Sequence, residues 1–83
     1  MNLRFHYGNL EKHNVSPEEV EECFDDSRKI LRAAAGAHWL IAKTFAGRFL
    51  EIGFVKEPED TAFVFHAMDA KPYQRRQYKT RAK

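Results

Sequence analysis

Four strand-like stretches follow one another between Lys29 and Met68, separated only by tight turns. Lys29–Ala34 leads through Ala35-Gly36 to His38–Phe45, and Ala46-Gly47 then leads to Arg48–Lys56. The polar turn Glu57-Pro58-Glu59-Asp60 precedes the fourth stretch, Thr61–Met68. Connections this short leave no room for a crossover helix, so neighbouring strands are expected to run antiparallel. Leu3-Arg4-Phe5-His6-Tyr7 alternates apolar and polar residues with the two-residue period of a further strand.

Helices frame this strand region. Asn9 to His13 reads as a short helix, with Asn14 close behind it. Ser16 opens a second helix: a Ser cap, Pro17 at the first helical position and Glu19 as the reciprocal acceptor of a capping box. Val15 and Val20 are spaced as a hydrophobic staple across that cap, and Val20, Cys23 and Phe24 share one face. Pro72 sits where a last helix would begin, running to about Thr80. The expectation is one α+β domain over residues 1–83. Its antiparallel, twisted sheet of four to five strands carries two N-terminal helices and one C-terminal helix, all packed on one face. Within Thr61–Met68, strict alternation would turn Phe63 and Phe65 to one face and Val64, His66 and Met68 to the other.

Charge is unevenly placed. From Lys71 onward there are six Lys or Arg, two Tyr and no acid, although the net charge of the whole chain is only +2. Such a tail suits an anionic partner, RNA phosphate above all, and it equally suits the basic end of a solvated helix. Six acids fall between Glu18 and Asp26, either as the wet face of the second helix or as an approach surface for a basic partner. Cys23 is the only cysteine, so no internal disulfide forms, and a reducing cytosolic setting is expected. Lys or Glu interrupts every apolar stretch, so no membrane segment is expected. A domain this small with an aromatic, basic tail is compatible with self-association.

His6, His13, His38 and His66 show no metal-ligand spacing, and neither a glycine-rich phosphate loop nor a nucleophile elbow is present. No metal or cofactor is expected. Metal-free RNA cleavage needs less: a proton acceptor for the 2′-hydroxyl, a proton donor, and cations around the phosphate. His13 and His66 can serve the proton roles, and Lys12, Arg48, Arg75 and Arg76 are available cations, with Tyr78 as a stacking or acidic group. Arg48 begins the apolar stripe Leu50, Ile52, Phe54, so it marks either a cleft at the core's edge or a solvated turn.

Short motifs along the chain resemble the BrnT family of bacterial toxins. Lys12-His13-Asn14-Val15-Ser16 with Glu18-Glu19 and Phe24-Asp25-Asp26 resembles that family's K-H-G-V-S-x-E-E…F-x-D opening. Gly47-Arg48 with Leu50 resembles its G-R-x-L segment, and Val64 to Tyr78 its closing A-R-x-A…E-R-x-x-Y element. The resemblance implies a small α+β ribonuclease with a RelE-like fold, neutralised by a cognate antitoxin. Residue by residue it nominates Lys12, His13, Arg48, Arg76 and Tyr78, whereas Arg75 and His66 come from the chemistry above. Three positions depart from the pattern: Met68 for arginine, Gln74 for glutamate and Asn14 for glycine. Loss of a catalytic arginine would remove several kcal/mol of transition-state stabilisation. The runner-up expectation is therefore a non-catalytic RNA- or protein-binding module on the same fold, and a structural or regulatory subunit is the third.

Overall fold

The computed structural model describes residues 1–81; Lys83, the last cation of the basic tail, lies outside them. The chain forms β1 (Asn2–Phe5), α1 (Tyr7–Lys12), α2 (Pro17–Phe24), β2 (Ile30–Ala34), β3 (Ala37–Lys43), β4 (Phe49–Glu57), β5 (Thr61–Asp69) and α3 (Pro72–Arg81). As expected, this is an α+β domain with two N-terminal helices and one C-terminal helix. β2 to β5 form an antiparallel meander, as the short turns require, and the sheet order is β1-β5-β4-β3-β2. The fifth strand makes the sheet mixed: β1 lies parallel to β5, with Asn2 opposite Thr61 and Phe5 opposite Val64.

β1 is shorter than its alternation suggests. His6 leaves the strand to cap α1, its Nδ1 accepting a hydrogen bond from the Asn9 amide at 3.1 Å, so Tyr7 becomes helical. Where β1 ends, α1 takes over the edge of β5, with the Asn9 side-chain amide donating to the Phe65 carbonyl. Asn14 then turns the chain at φ 54, a left-handed conformation that Asn tolerates. The capping box of α2 is complete: Ser16 Oγ accepts from the Glu19 amide at 3.1 Å, and Glu19 Oε1 accepts from the Ser16 amide at 3.0 Å. Val15 and Val20 are both buried, as a staple demands.

The helices divide between the two faces instead of sharing one. Alternate residues of β3 and β4, namely Leu40 and Ala42 with Leu50, Ile52 and Phe54, join Leu10, Val20 and Cys23 in the core beneath α1 and α2. Leu40, Leu50, Ile52 and Val64 are at most 1% exposed. Burying each contributes about 1.5–3 kcal/mol. Trp39, Ile41, Phe49 and Val55 among the intervening residues are apolar too, so the opposite face also needs cover. Ile30, Ile41 and Phe49 pack there with Ala70 and Tyr78, the last of these on α3.

A bulge in β5 corrects the alternation expected for Thr61–Met68. Phe54 pairs with Val64 but Gly53 pairs with His66, leaving Phe65 as an extra residue. His66 and Met68, opposite Gly53 and Glu51, therefore join Phe63 and Phe65 on the α3 side, while Ala67 returns to the main core.

The β2–β3 turn holds Ala35 at φ 53 and Gly36 at φ 79, the two left-handed residues of a type I′ hairpin. Alanine is strained there, whereas Asn-Gly suits this turn. Ala35→Asn is expected to stabilise the protein by about 1 kcal/mol, read as a rise of roughly 4–8 °C in thermal midpoint.

Candidate active site

Arg48 stands at the meeting point of four segments. The Thr44–Arg48 turn, with Gly47 at φ 95, brings it back to β4, and the Arg48 amide donates to the buried Thr44 hydroxyl at 3.0 Å. Its guanidinium is spread over both neighbouring helices and the end of β5. Nε donates to Asp69 Oδ1 at 2.8 Å, and Nη1 to the Asn14 carbonyl at 2.8 Å and to Glu19 Oε1 at 3.1 Å. Nη2 donates to the His13 carbonyl at 3.2 Å. The hydrogen bond from Arg48 holds the Asp69 carboxyl below its ordinary range. Burial raises Glu19, but the Ser16 amide and Arg48 outweigh that and leave it lowered. Arg48 is thus no solvated turn residue: it lines a cleft at the core's edge with Asn14, Ser16 and Glu19, as a fully engaged cation.

On the α3 side, the bulge aims His66 at Glu51. His66 Nε2 lies 2.9 Å from Glu51 Oε2, with the two side chains 26% and 13% exposed. Glu51 Oε1 accepts from Lys71 Nζ at 3.3 Å and from the Gln74 side-chain amide. Burial raises the Glu51 carboxyl, yet Gln74, Lys71 and His66 together hold it below its ordinary range. An ionised carboxylate only accepts, so Nε2 carries the shared proton, and in the neutral imidazole Nδ1 is then the acceptor. Trp39 packs edge-on to both Phe65 and His66, with ring centroids 5.5 Å apart in each case. Gly53 makes this possible: a Cβ there would come within 2.7 Å of Trp39 and 2.9 Å of Phe65.

His13 and His66, more than fifty residues apart in sequence, come together where α1 meets β5. Their ring centroids are 6.2 Å apart. Among the described residues the His13 imidazole has no hydrogen-bond partner. Lys12 is exposed beside it, and Arg75 lies close enough to Asp69 to lower that carboxyl further. Arg76 is exposed on α3 and lines a separate groove with Arg32.

Tyr78 does not join this group. It is 4% exposed, packs against Phe49 at 5.2 Å and donates to Asp26 Oδ2 at 2.7 Å, which corrects its nomination as a ligand-binding residue. Burial, then the Asp26 carboxylate, pushes its phenol up to about 12. Asp26 also accepts from the Lys43 amide at 2.9 Å and the Arg28 amide at 3.0 Å, so one carboxylate fastens α3 to β3.

Glu51, Trp39 and Gln74 were missed by sequence reasoning. The available signal was Glu51 itself, an acid within the otherwise apolar run from Phe49 to Val55. The other two histidines stand apart: His6 caps α1, and His38 stacks on Phe54 at 5.2 Å. Cys23 is fully buried and its thiol is pushed up to about 12, mainly by burial, so it is no nucleophile. Among the described residues no group of three or more His, Cys, Asp or Glu could hold a metal ion. No described helix is long and apolar enough to cross a membrane. The chain matches no protein-family model, and no curated protein aligns with it significantly.

Arg48→Ala is expected to cost about 2–3 kcal/mol, because two carboxylates and two carbonyls lose their donor together. Arg48→Lys should recover less than half of that, since a single ammonium cannot reach all four acceptors. Urea unfolding of the two variants checks both values. Stability should also fall on acidification. Glu19, Asp26, Glu51 and Asp69 all have lowered folded values, so the unfolded chain takes up protons first. Their contribution is complete above the ordinary carboxylate values of 4.5 and 3.8 and is lost as pH falls through the lower folded values. Unfolding midpoints measured across that range should drop, and Asp26→Asn should flatten the drop.

Proposed function

We propose that this protein is a metal-free endoribonuclease of the BrnT toxin kind, acting in the cytoplasm and held inactive by a cognate antitoxin. The observation that carries the reading is the His13–His66 pair at 6.2 Å, with His66 oriented by Glu51. Two imidazoles at that separation can flank a phosphodiester. His66, with Nε2 bound to Glu51, offers Nδ1 to take the proton from the 2′-hydroxyl. The attacking oxygen then closes on phosphorus, and His13 as imidazolium delivers a proton to the leaving 5′-oxygen. Lys12 and Arg75 supply positive charge for the phosphoryl oxygens. Arg48 acts one step back, fixing the His13 backbone and the end of β5 through the carbonyl and carboxylate it binds. Closing the basic α3 surface with an acidic antitoxin segment would block access to RNA.

A second reading, a non-catalytic RNA-binding module, is favoured by the same arginine. The Arg48 guanidinium is already committed to four partners, and Met68 occupies the position of the BrnT arginine. One assay separates the two. Labelled RNA incubated with purified protein in EDTA should be cut, with a bell-shaped pH–rate profile. His13→Ala and His66→Ala should each slow cleavage by about 100-fold or more. RNA that is bound but left intact by folded wild-type protein would overturn the catalytic reading in favour of the binder.

A further inference from the structure

The α3 face of the sheet is incompletely covered, and what is left is a shaped cavity. Cross-strand pairing sets Ile30 opposite Ile41 and Arg32 opposite Trp39, all on the α3 side. The Tyr78 end of α3 packs over Ile30 and Ile41. Toward Arg32 and Trp39 the helix leaves a space of about 360 Å³, within the ~300–1,000 Å³ usual for small-ligand sites. Trp39 and Tyr73 supply aromatic walls, Gln74 and Gln77 supply amides, and the Glu51 carboxylate also lines the space as an acceptor for a base's amino group. Gln74 is held in place, its oxygen accepting from the Lys71 amide at 2.8 Å and its nitrogen donating to Glu51.

An open groove of about 670 Å³ continues from this cavity along α3, sharing Tyr73, Gln77 and Arg32 and adding Arg76 and Arg81. Three arginines and no carboxylate line it. We infer that the cavity between Trp39 and Tyr73 receives one base of a single-stranded RNA whose phosphates follow Arg32, Arg76 and Arg81. The inference deepens the RNA-directed reading of the site and rests on it. Rings that stack a planar heterocycle, amides that meet its polar edge and a row of guanidinium groups are the parts that single-strand recognition uses. An acidic peptide would satisfy the arginines but would have no use for the two aromatic rings that line the cavity. Trp39 also touches His66, so a base seated there lies one ring away from the imidazole pair.

The test uses the intrinsic fluorescence of Trp39, the single tryptophan of the chain. The probe is a short 2′-O-methyl oligoadenylate, which cannot be cleaved, with AMP as the free-nucleotide arm. Saturable quenching by the oligonucleotide is expected, with AMP at least about tenfold weaker because it meets fewer arginines. Affinity should fall with salt at a slope of about −2, near 0.7 per neutralised phosphate. Tyr73→Ala, at a half-exposed position and with its fold checked by circular dichroism, should weaken binding about tenfold. Arg76→Ala should reduce the salt slope by about 0.7.

No quenching by the oligonucleotide, or equal binding by wild type and Tyr73→Ala, overturns the inference and leaves the groove to a protein partner. AMP binding as tightly as the oligonucleotide overturns it in favour of a free nucleotide. Because the probe is inert to cleavage, binding without RNA cleavage in the EDTA assay sinks only the catalytic reading. Cleavage without a Trp39 response sinks only the pocket.

Discussion

The guanidinium of Arg48 ties the α1–α2 junction and the cap of α2 to the end of β5. His13 caps the end of α1 and Ser16 the start of α2, and the carbonyls exposed between the helices have no helical partner. Arg48 takes two of those carbonyls, and through Glu19 it reaches the cap of α2. Through Asp69 it fixes the last residue of β5, just before the chain turns into α3. A planar fork with several donors does this at one point, and the partners are carboxylates and carbonyls whose directions are set by their own elements. The position of His13 relative to β5, and so to His66, follows from that clasp.

A second tie organises the other face. Glu51 is the one acid of β4 turned toward α3 apart from the strand's last residue, Glu57, and it is matched by Lys71, Gln74 and His66. Asp26 holds the far end of α3 through Tyr78. α3 is therefore fastened by polar contacts at both ends, with Tyr78 and Ala70 as its main apolar seating. That arrangement explains why a helix so rich in charge stays on the sheet while leaving the space beside Trp39 uncovered.

Local chemistry was readable from the residues alone: the capping box at Ser16, the staple of Val15 and Val20, and the turns that force the β2–β5 meander. What could not be read depends on partners distant in sequence. The parallel docking of β1 needs β5 to exist first. The bulge at Phe65 is a property of the pairing with Gly53 and Phe54, so simple alternation assigned His66 and Met68 to the wrong face. α3 presents a weak apolar stripe, and nothing in it says which face of the sheet it covers. For the site, His13, Lys12 and Arg48 were legible as chemistry-bearing residues. The engagement of Arg48, the burial of Tyr78 and the role of Glu51 were not, because each is decided by what folds against it.

The pairing of β1 with β5 has a consequence for the order in which the chain can form. Asn2 and Thr61 are neighbours in the sheet although about sixty residues separate them. Closing so long a loop carries an entropic cost that local hairpins avoid, so the meander can assemble while the first strand is still unplaced. During synthesis β1 must wait for β5, made about sixty residues later. The stretch from Asn2 to Phe5 then completes the sheet edge as its final strand.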